Sequence, residues 1–220
     1  MASRCRCFVL ATLIALLPQS ALASQAAEDL ICTLYTPPRN GVLAECSGPF
    51  TADGDDITIA LAGTPPNHVR EIRLTHDGDA RPFQSIAVDA RPVIDPETVG
   101  ILLMDMNFDG HRDLAIMKRL DGKDAGYRYF LYDPAARRFV PNGELGQIAW
   151  PEFDPDTKTI QSYRERAGGI RIHDTWTWRV DRLRQTARRE RVTGADGTCV
   201  EKHYRRKQDT FVLATTKPCP

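Results

Sequence analysis

The chain has 220 residues, 29 basic and 29 acidic side chains, 15 Gly, 15 Pro and six Cys. Beyond the first two dozen residues no segment approaches the ~18 consecutive apolar residues of a membrane-spanning helix, which excludes a protein of several membrane-spanning helices. No G-x-S-x-G, H-E-x-x-H or Gly-Lys-Ser/Thr phosphate loop occurs, so the common hydrolase, zinc-protease and nucleotide-binding signatures are absent.

In chain order, Arg4 and Arg6 precede an apolar run from Phe8 to Leu17, then Pro18 and Ala21-Leu22-Ala23. This is the pattern of a cleaved secretory signal over residues 1–23. As a helix the run spans about 15 Å, half a bilayer core, so an anchor is not expected. Cys5 and Cys7 lie before the run, where a lipid-accepting Cys would not be. Residues 24–220 then form one exported domain, periplasmic or secreted, large enough to bury roughly 70% of its unfolded surface.

Export decides the reading of Cys32, Cys46, Cys199 and Cys219. An even number in an oxidising compartment predicts disulfides, and four cysteines allow three connectivities. The local pairs Cys32–Cys46 and Cys199–Cys219 are favoured, because each closes a segment holding turn formers, Pro37-Pro38-Arg39-Asn40-Gly41 and Lys207-Gln208-Asp209. Charge is uneven along the chain. Residues 24–159 carry 13 basic and 22 acidic side chains, net −9, and residues 160–220 carry 14 and 7, net +7.

The dominant periodicity is two, which predicts an all-β fold. Ile57, Ile59 and Leu61 alternate with polar residues, as do Ile72 and Leu74, Ile86 and Val88, and Tyr127, Tyr129 and Leu131. From Gly169 one parity reads Ile170, Ile172, Asp174, Trp176, Trp178, Val180, an apolar face interrupted only by Asp174. Its two tryptophans are expected in the core. Asp133-Pro134, Asp154-Pro155-Asp156 and Asp181-Arg182 punctuate three successive hairpins, since Asp starts turns through its own backbone and Pro presets the next φ. A short helix or 3-10 turn is expected near Asp95-Pro96-Glu97. Consecutive short hairpins suggest a small β-propeller-like array of blades or a meandering antiparallel sandwich. The five histidines are expected at the surface, and the Arg-rich stretch Arg182–Arg191 on the outer face of strands.

One motif stands above background. Asp105-Met106-Asn107-Phe108-Asp109-Gly110-His111-Arg112-Asp113 is D-x-N-x-D-G-x-x-D, preceded by the apolar run Ile101–Met104. Calcium takes six to eight oxygen ligands, and alternate side chains of a tight loop point inward together. Asp105, Asn107 and Asp109 would supply side-chain oxygens, His111 its carbonyl, and Asp113 a further carboxylate. Position 12 is Ile116 rather than Glu, so the expectation is a structural Ca²⁺ loop within a β-hairpin, not a helix–loop–helix.

The run Ile101–Asp113, followed by Gly126-Tyr127-Arg128-Tyr129-Phe130-Leu131-Tyr132-Asp133, Phe139, Glu144-Leu145 and Thr177-Trp178, resembles a family of exported bacterial proteins. These are β-propeller-like immunity proteins that inhibit lysozyme-like peptidoglycan hydrolases, some of them toxins delivered by a type IV secretion system. Phe83-Gln84-Ser85-Ile86 looks like the family's strand before the calcium loop, and the likeness covers about residues 55–216. The resemblance implies a non-enzymatic protein that plugs a hydrolase cleft with a protruding loop. The matching segment is Ser162-Tyr163-Arg164-Glu165-Arg166-Ala167-Gly168-Gly169, with Ser162, Tyr163, Arg164, Arg166, Gly168 and Gly169 as the partner-binding candidates. Related inhibitors place Tyr after the Gly pair, where this chain has Ile170. The alternative is a calcium-stabilised extracellular adhesion or structural module of the integrin-propeller type, which would normally repeat the acidic loop blade after blade. Only one good copy exists here.

Overall fold

The computed structural model describes residues 30–51, 55–119, 126–194 and 196–220. The expected signal segment 1–23 lies outside the described residues. No helix among the described residues is long and apolar enough to cross a membrane.

Among the described residues, antiparallel strands follow one another in three sheets, each a meander in chain order. The first holds β1 (Ile31–Arg39), β2 (Val42–Pro49), β3 (Asp56–Thr64), β4 (His68–His76) and β5 (Gln84–Ala90). The second holds β6 (Ile101–Met104), β7 (Asp113–Arg119), β8 (Gly126–Asp133) and β9 (Arg138–Asn142). The third holds β10 (Pro151–Asp154), β11 (Thr159–Arg166), β12 (Ile170–Arg179), β13 (Arg182–Thr193), β14 (Cys199–Lys207) and β15 (Thr210–Pro218). The all-β expectation holds, and of the two arrangements weighed the layered, sandwich-like one describes the packing. No sheet closes on itself.

Two apolar clusters join the layers. Ile57, Ile59, Leu61, Ile72 and Leu74 of the first sheet pack with Ile101, Leu103, Leu114, Ile116 and Phe130 of the second. The opposite face of the second sheet, through Ala115 and Tyr129, packs with Leu145, Ile148, Ile160, Trp176 and Trp178. The middle sheet is thus covered on both faces. That is why β7 reads as the unbroken apolar run Leu114-Ala115-Ile116-Met117 instead of alternating. At its margin Gln84 reaches from β5 to the backbone of Phe139 on β9, its amide donating to the carbonyl and its oxygen accepting the N–H, both at 2.8 Å.

The three Asp-led hairpin turns fall where expected, between β8 and β9, β10 and β11, and β12 and β13. Both local disulfides are present, Cys32–Cys46 and Cys199–Cys219. Cys32 and Cys46 are direct cross-strand partners of β1 and β2. One local expectation moves. The 3-10 turn is Leu145–Gln147, not 95–97. Asp95 instead accepts the N–H groups of Glu97 and Thr98, closing an Asp turn without a helical segment. Val180, assigned by parity to the β12 face, is a fully exposed turn residue at φ 60° beyond the strand's end.

Candidate functional site

The acidic loop joins β6 to β7, so its flanks are strands, as expected. Its carboxylates close the turn on itself. Asp105 accepts the N–H groups of Asp109 at 3.1 Å and Gly110 at 2.8 Å, and Asp109 accepts that of His111 at 2.8 Å. The Asn107 oxygen accepts the Asp109 N–H, while its amide donates to Asp109 at 2.7 Å. Gly110, at φ 93°, provides the sharp bend. The His111 ring faces Tyr132 at 5.7 Å.

Asp113 departs from the expected ligand set. It is 0% exposed, and its two oxygens accept the backbone N–H groups of Met106 and Tyr132, each at 2.8 Å. It ties the loop and β8 to β7. Burial, with Asp109 and Asp105 adding repulsion, pushes its pKa up to about 7. No three His, Cys, Asp or Glu side chains among the described residues stand together as a metal site. The hard donors left to the loop are therefore Asp105, Asn107, Asp109 and the His111 carbonyl, an all-oxygen set of the type Ca²⁺ takes.

The second candidate segment is the hairpin of β11 and β12, closed by Ala167-Gly168-Gly169. Both glycines have positive φ, 83° and 72°, which a side chain would strain. Tyr163, Arg166, Gly168 and Gly169 are exposed, Tyr163 to 45%. Ser162 is not available to a partner: it is 4% exposed and its hydroxyl accepts the Trp176 indole N–H at 3.3 Å. Arg164 is exposed along its stem, yet its guanidinium donates to Asp174 at 3.0 Å.

Asp174, the residue that breaks the apolar parity of β12, sits 2% exposed at the base of this hairpin. Arg188 reaches it from β13 with Nε at 2.7 Å and Nη2 at 3.1 Å. Two guanidinium groups on one buried carboxylate satisfy its lone pairs and clamp β11, β12 and β13 at one level. Arg188 also lies over the Phe211 ring at 5.5 Å. This arginine is thus not the bare outer-face residue its segment suggested.

On the other face of the same strands Tyr163 stacks flat on His173, centroids 4.4 Å apart and planes within 6°. Arg189 donates to His173 Nδ1 at 2.8 Å, and a guanidinium only donates, so the neutral ring carries its proton on Nε2. Burial first, and Arg189 next, hold the His173 pKa below the usual imidazole range. This histidine is half-buried, not solvated as expected. The stack forms one wall of a groove of about 830 Å³, with Trp150, Arg171 and Arg191 also in its lining. These groups meet only through cross-strand register, which single-segment periodicity does not reveal.

No protein-family model matches the chain, and no curated protein does. A solved structure with a similar fold is a Xanthomonas protein described as related to a type IV secretion system. It is 18% identical, with a TM-score of 0.56 over 78% of this chain and 93% of that one. At that identity the likeness concerns the fold.

Proposed function

We propose that this is an exported, non-catalytic binding protein that neutralises a lysozyme-like peptidoglycan hydrolase by inserting the β11–β12 hairpin into its cleft. The observation that carries the reading is the hairpin itself. An exposed Gly168-Gly169 tip is flanked by exposed Tyr163 and Arg166, residue types that anchor interfaces. Its base is held by the Asp174 clamp and the Tyr163–His173 stack, so little conformational freedom is lost on docking. The secretion-related description of the structural neighbour agrees with the resemblance of the motifs, and two disulfides suit an oxidising compartment.

The test is turbidity of a cell-wall suspension with chicken-type, goose-type, invertebrate-type and secretion-linked hydrolases. At least one is inhibited by the wild type and escapes a Tyr163→Ala/Arg166→Ala variant of unchanged melting temperature. Full hydrolysis in every mixture refutes the reading. A structural Ca²⁺ held by Asp105, Asn107, Asp109 and the His111 carbonyl is part of the same proposal. Calorimetric titration of chelated protein returns a heat and a raised melting temperature if the ion binds; neither, up to millimolar calcium, removes it.

A further inference from the structure

The groove beside the hairpin has a charge arrangement that the fold does not need. Arg171 on β12 and Arg191 on β13 are direct cross-strand partners, so two like charges leave the same face side by side. Such pairs destabilise a sheet. Carboxylates are at hand to neutralise them and are not used. Glu165 is the cross-strand partner of Arg171 on β11, and Glu201 that of Arg191 on β14. Yet Glu201 bonds His203 and Lys217 instead, and Glu165 and Arg171 form no ion pair among the described residues. Arg191 donates only through Nε to the Cys199 sulfur at 3.2 Å. Guanidinium donors and a carboxylate acceptor stay open on one concave face.

The aromatic wall makes the second observation. Trp150 is 51% exposed and has φ 48°, a left-handed conformation that a bulky side chain rarely adopts. Strained backbone thus presents an indole to water at the groove's edge. In the same lining the exposed Tyr163 ring is backed by His173. A volume of about 830 Å³ is in the range of sites for small organic ligands.

We propose that this groove binds an acidic oligosaccharide. Sugar rings lie against Trp150 and Tyr163, a carboxylate sits between Arg171 and Arg191, and hydroxyl groups donate to Glu165. Arginine forks match a carboxylate in two parallel hydrogen bonds. The open Glu165 selects against a phosphate chain or a run of acidic side chains, which would bring only more negative charge, and favours a ligand that brings O–H donors. Uronic-acid glycans and muramic-acid-containing cell-wall fragments share this chemistry. The inference stands apart from the hydrolase reading, because it is read with no hydrolase present.

The experiment is calorimetric titration, with tryptophan fluorescence in parallel, using galacturonate oligomers and a muramic-acid-containing disaccharide in separate arms. Neutral malto-oligosaccharides, oligoglutamate and a single-stranded oligonucleotide are the controls. Saturable binding is expected in at least one acidic-sugar arm, and which arm responds identifies the source. Arg171→Gln and Arg191→Gln each weaken it roughly tenfold to a hundredfold, the loss expected of a charge-assisted bond. The neutral sugars bind weakly or not at all. Relief of the like-charge pair leaves the Arg171→Gln melting temperature unchanged or higher, so weaker binding by this variant is not a loss of fold. Absence of saturable binding in both acidic-sugar arms, unchanged affinity in the arginine variants, or tighter binding of oligoglutamate or oligonucleotide overturns the proposal.

Discussion

Replacing Asp113 by Asn keeps its size and removes one of its two acceptors. Both Asp113 oxygens are engaged at 2.8 Å by the N–H groups of Met106 and Tyr132, and the side chain has no contact with water. In the Asn variant one amide group turns an N–H toward a backbone N–H, leaving a buried donor unsatisfied at about 1–3 kcal/mol. Asp113→Ala orphans both donors and costs roughly 2–6 kcal/mol, a large share of the ~5–15 kcal/mol that holds a domain folded. Urea unfolding followed by tryptophan fluorescence, in chelator, measures both. Stability also depends on pH in a definite direction. The folded pKa of about 7 lies above the ordinary 3.8, so the native state keeps a proton that the unfolded chain releases. This contribution is complete below about pH 4 and is lost as pH rises towards 7, at up to ~1.4 kcal/mol per unit. The Asn variant lacks that slope. Variants within ~0.5 kcal/mol of wild type, with the slope retained, would refute the assignment of Asp113 as the tie between loop and strand.

Asp174→Ala leaves two guanidinium groups without their carboxylate and lowers unfolding free energy by about 2–3 kcal/mol, with Arg188→Ala costing more than the better-exposed Arg164→Ala. Chemical denaturation of the three variants ranks them. Gln84→Ala removes both bonds to Phe139 and costs roughly 1–3 kcal/mol, measured the same way. Gly168→Ala meets no neighbouring atom but must hold φ 83°, and loses about 1 kcal/mol, whereas Gly143→Ala, with open space and no positive φ, is near neutral. Thermal melts decide between them. A Cys32→Ser/Cys46→Ser double variant, opening a separation of 14 residues, melts earlier by the equivalent of about 3 kcal/mol.

The layers that bury apolar surface were legible as alternation. β5 and β12 each bury one parity, whereas β3 and β8 bury both, Ile59 with Ala60 and Tyr129 with Phe130; the Asp133 and Asp154 turns bond their own backbone as the residue type requires. The disulfides were legible because export and local turns left few sensible pairings. β14 and β15 were not, because Glu-Lys-His-Tyr-Arg-Arg of β14 carries no apolar parity although it is largely half-buried, and β15 is exposed along nearly all its length. Of the partner-binding candidates, the burial of Ser162 is not legible in its own segment, since the tryptophan that bonds it is fourteen residues away across a strand pair. The groove was hidden for a related reason. An irregularity at Thr175/Trp176 resets which side chains of β12 and β13 stand abreast, so the Arg171–Arg191 pair exists only once the register is known. Asp174 was visible as an interruption, but its partners Arg164 and Arg188 come from the two flanking strands.

The last strand, β15, buries only Phe211 in part, yet it pairs with β14 from Thr210 to Pro218 through one irregularity. Its start is tied by the Thr210 hydroxyl to the Lys207 carbonyl, and its far end by the Cys199–Cys219 bond. Before that bond closes, the terminal segment has almost no solvophobic reason to stay. Detachment would lay bare the margin of β14, a ready template for promiscuous pairing with other chains. Cys199–Cys219 is thus expected to act as a latch on this end of the molecule: in reductant, amide exchange along β15 should rise well before that of the layered interior, and equal protection of β15 with and without the bond would refute it.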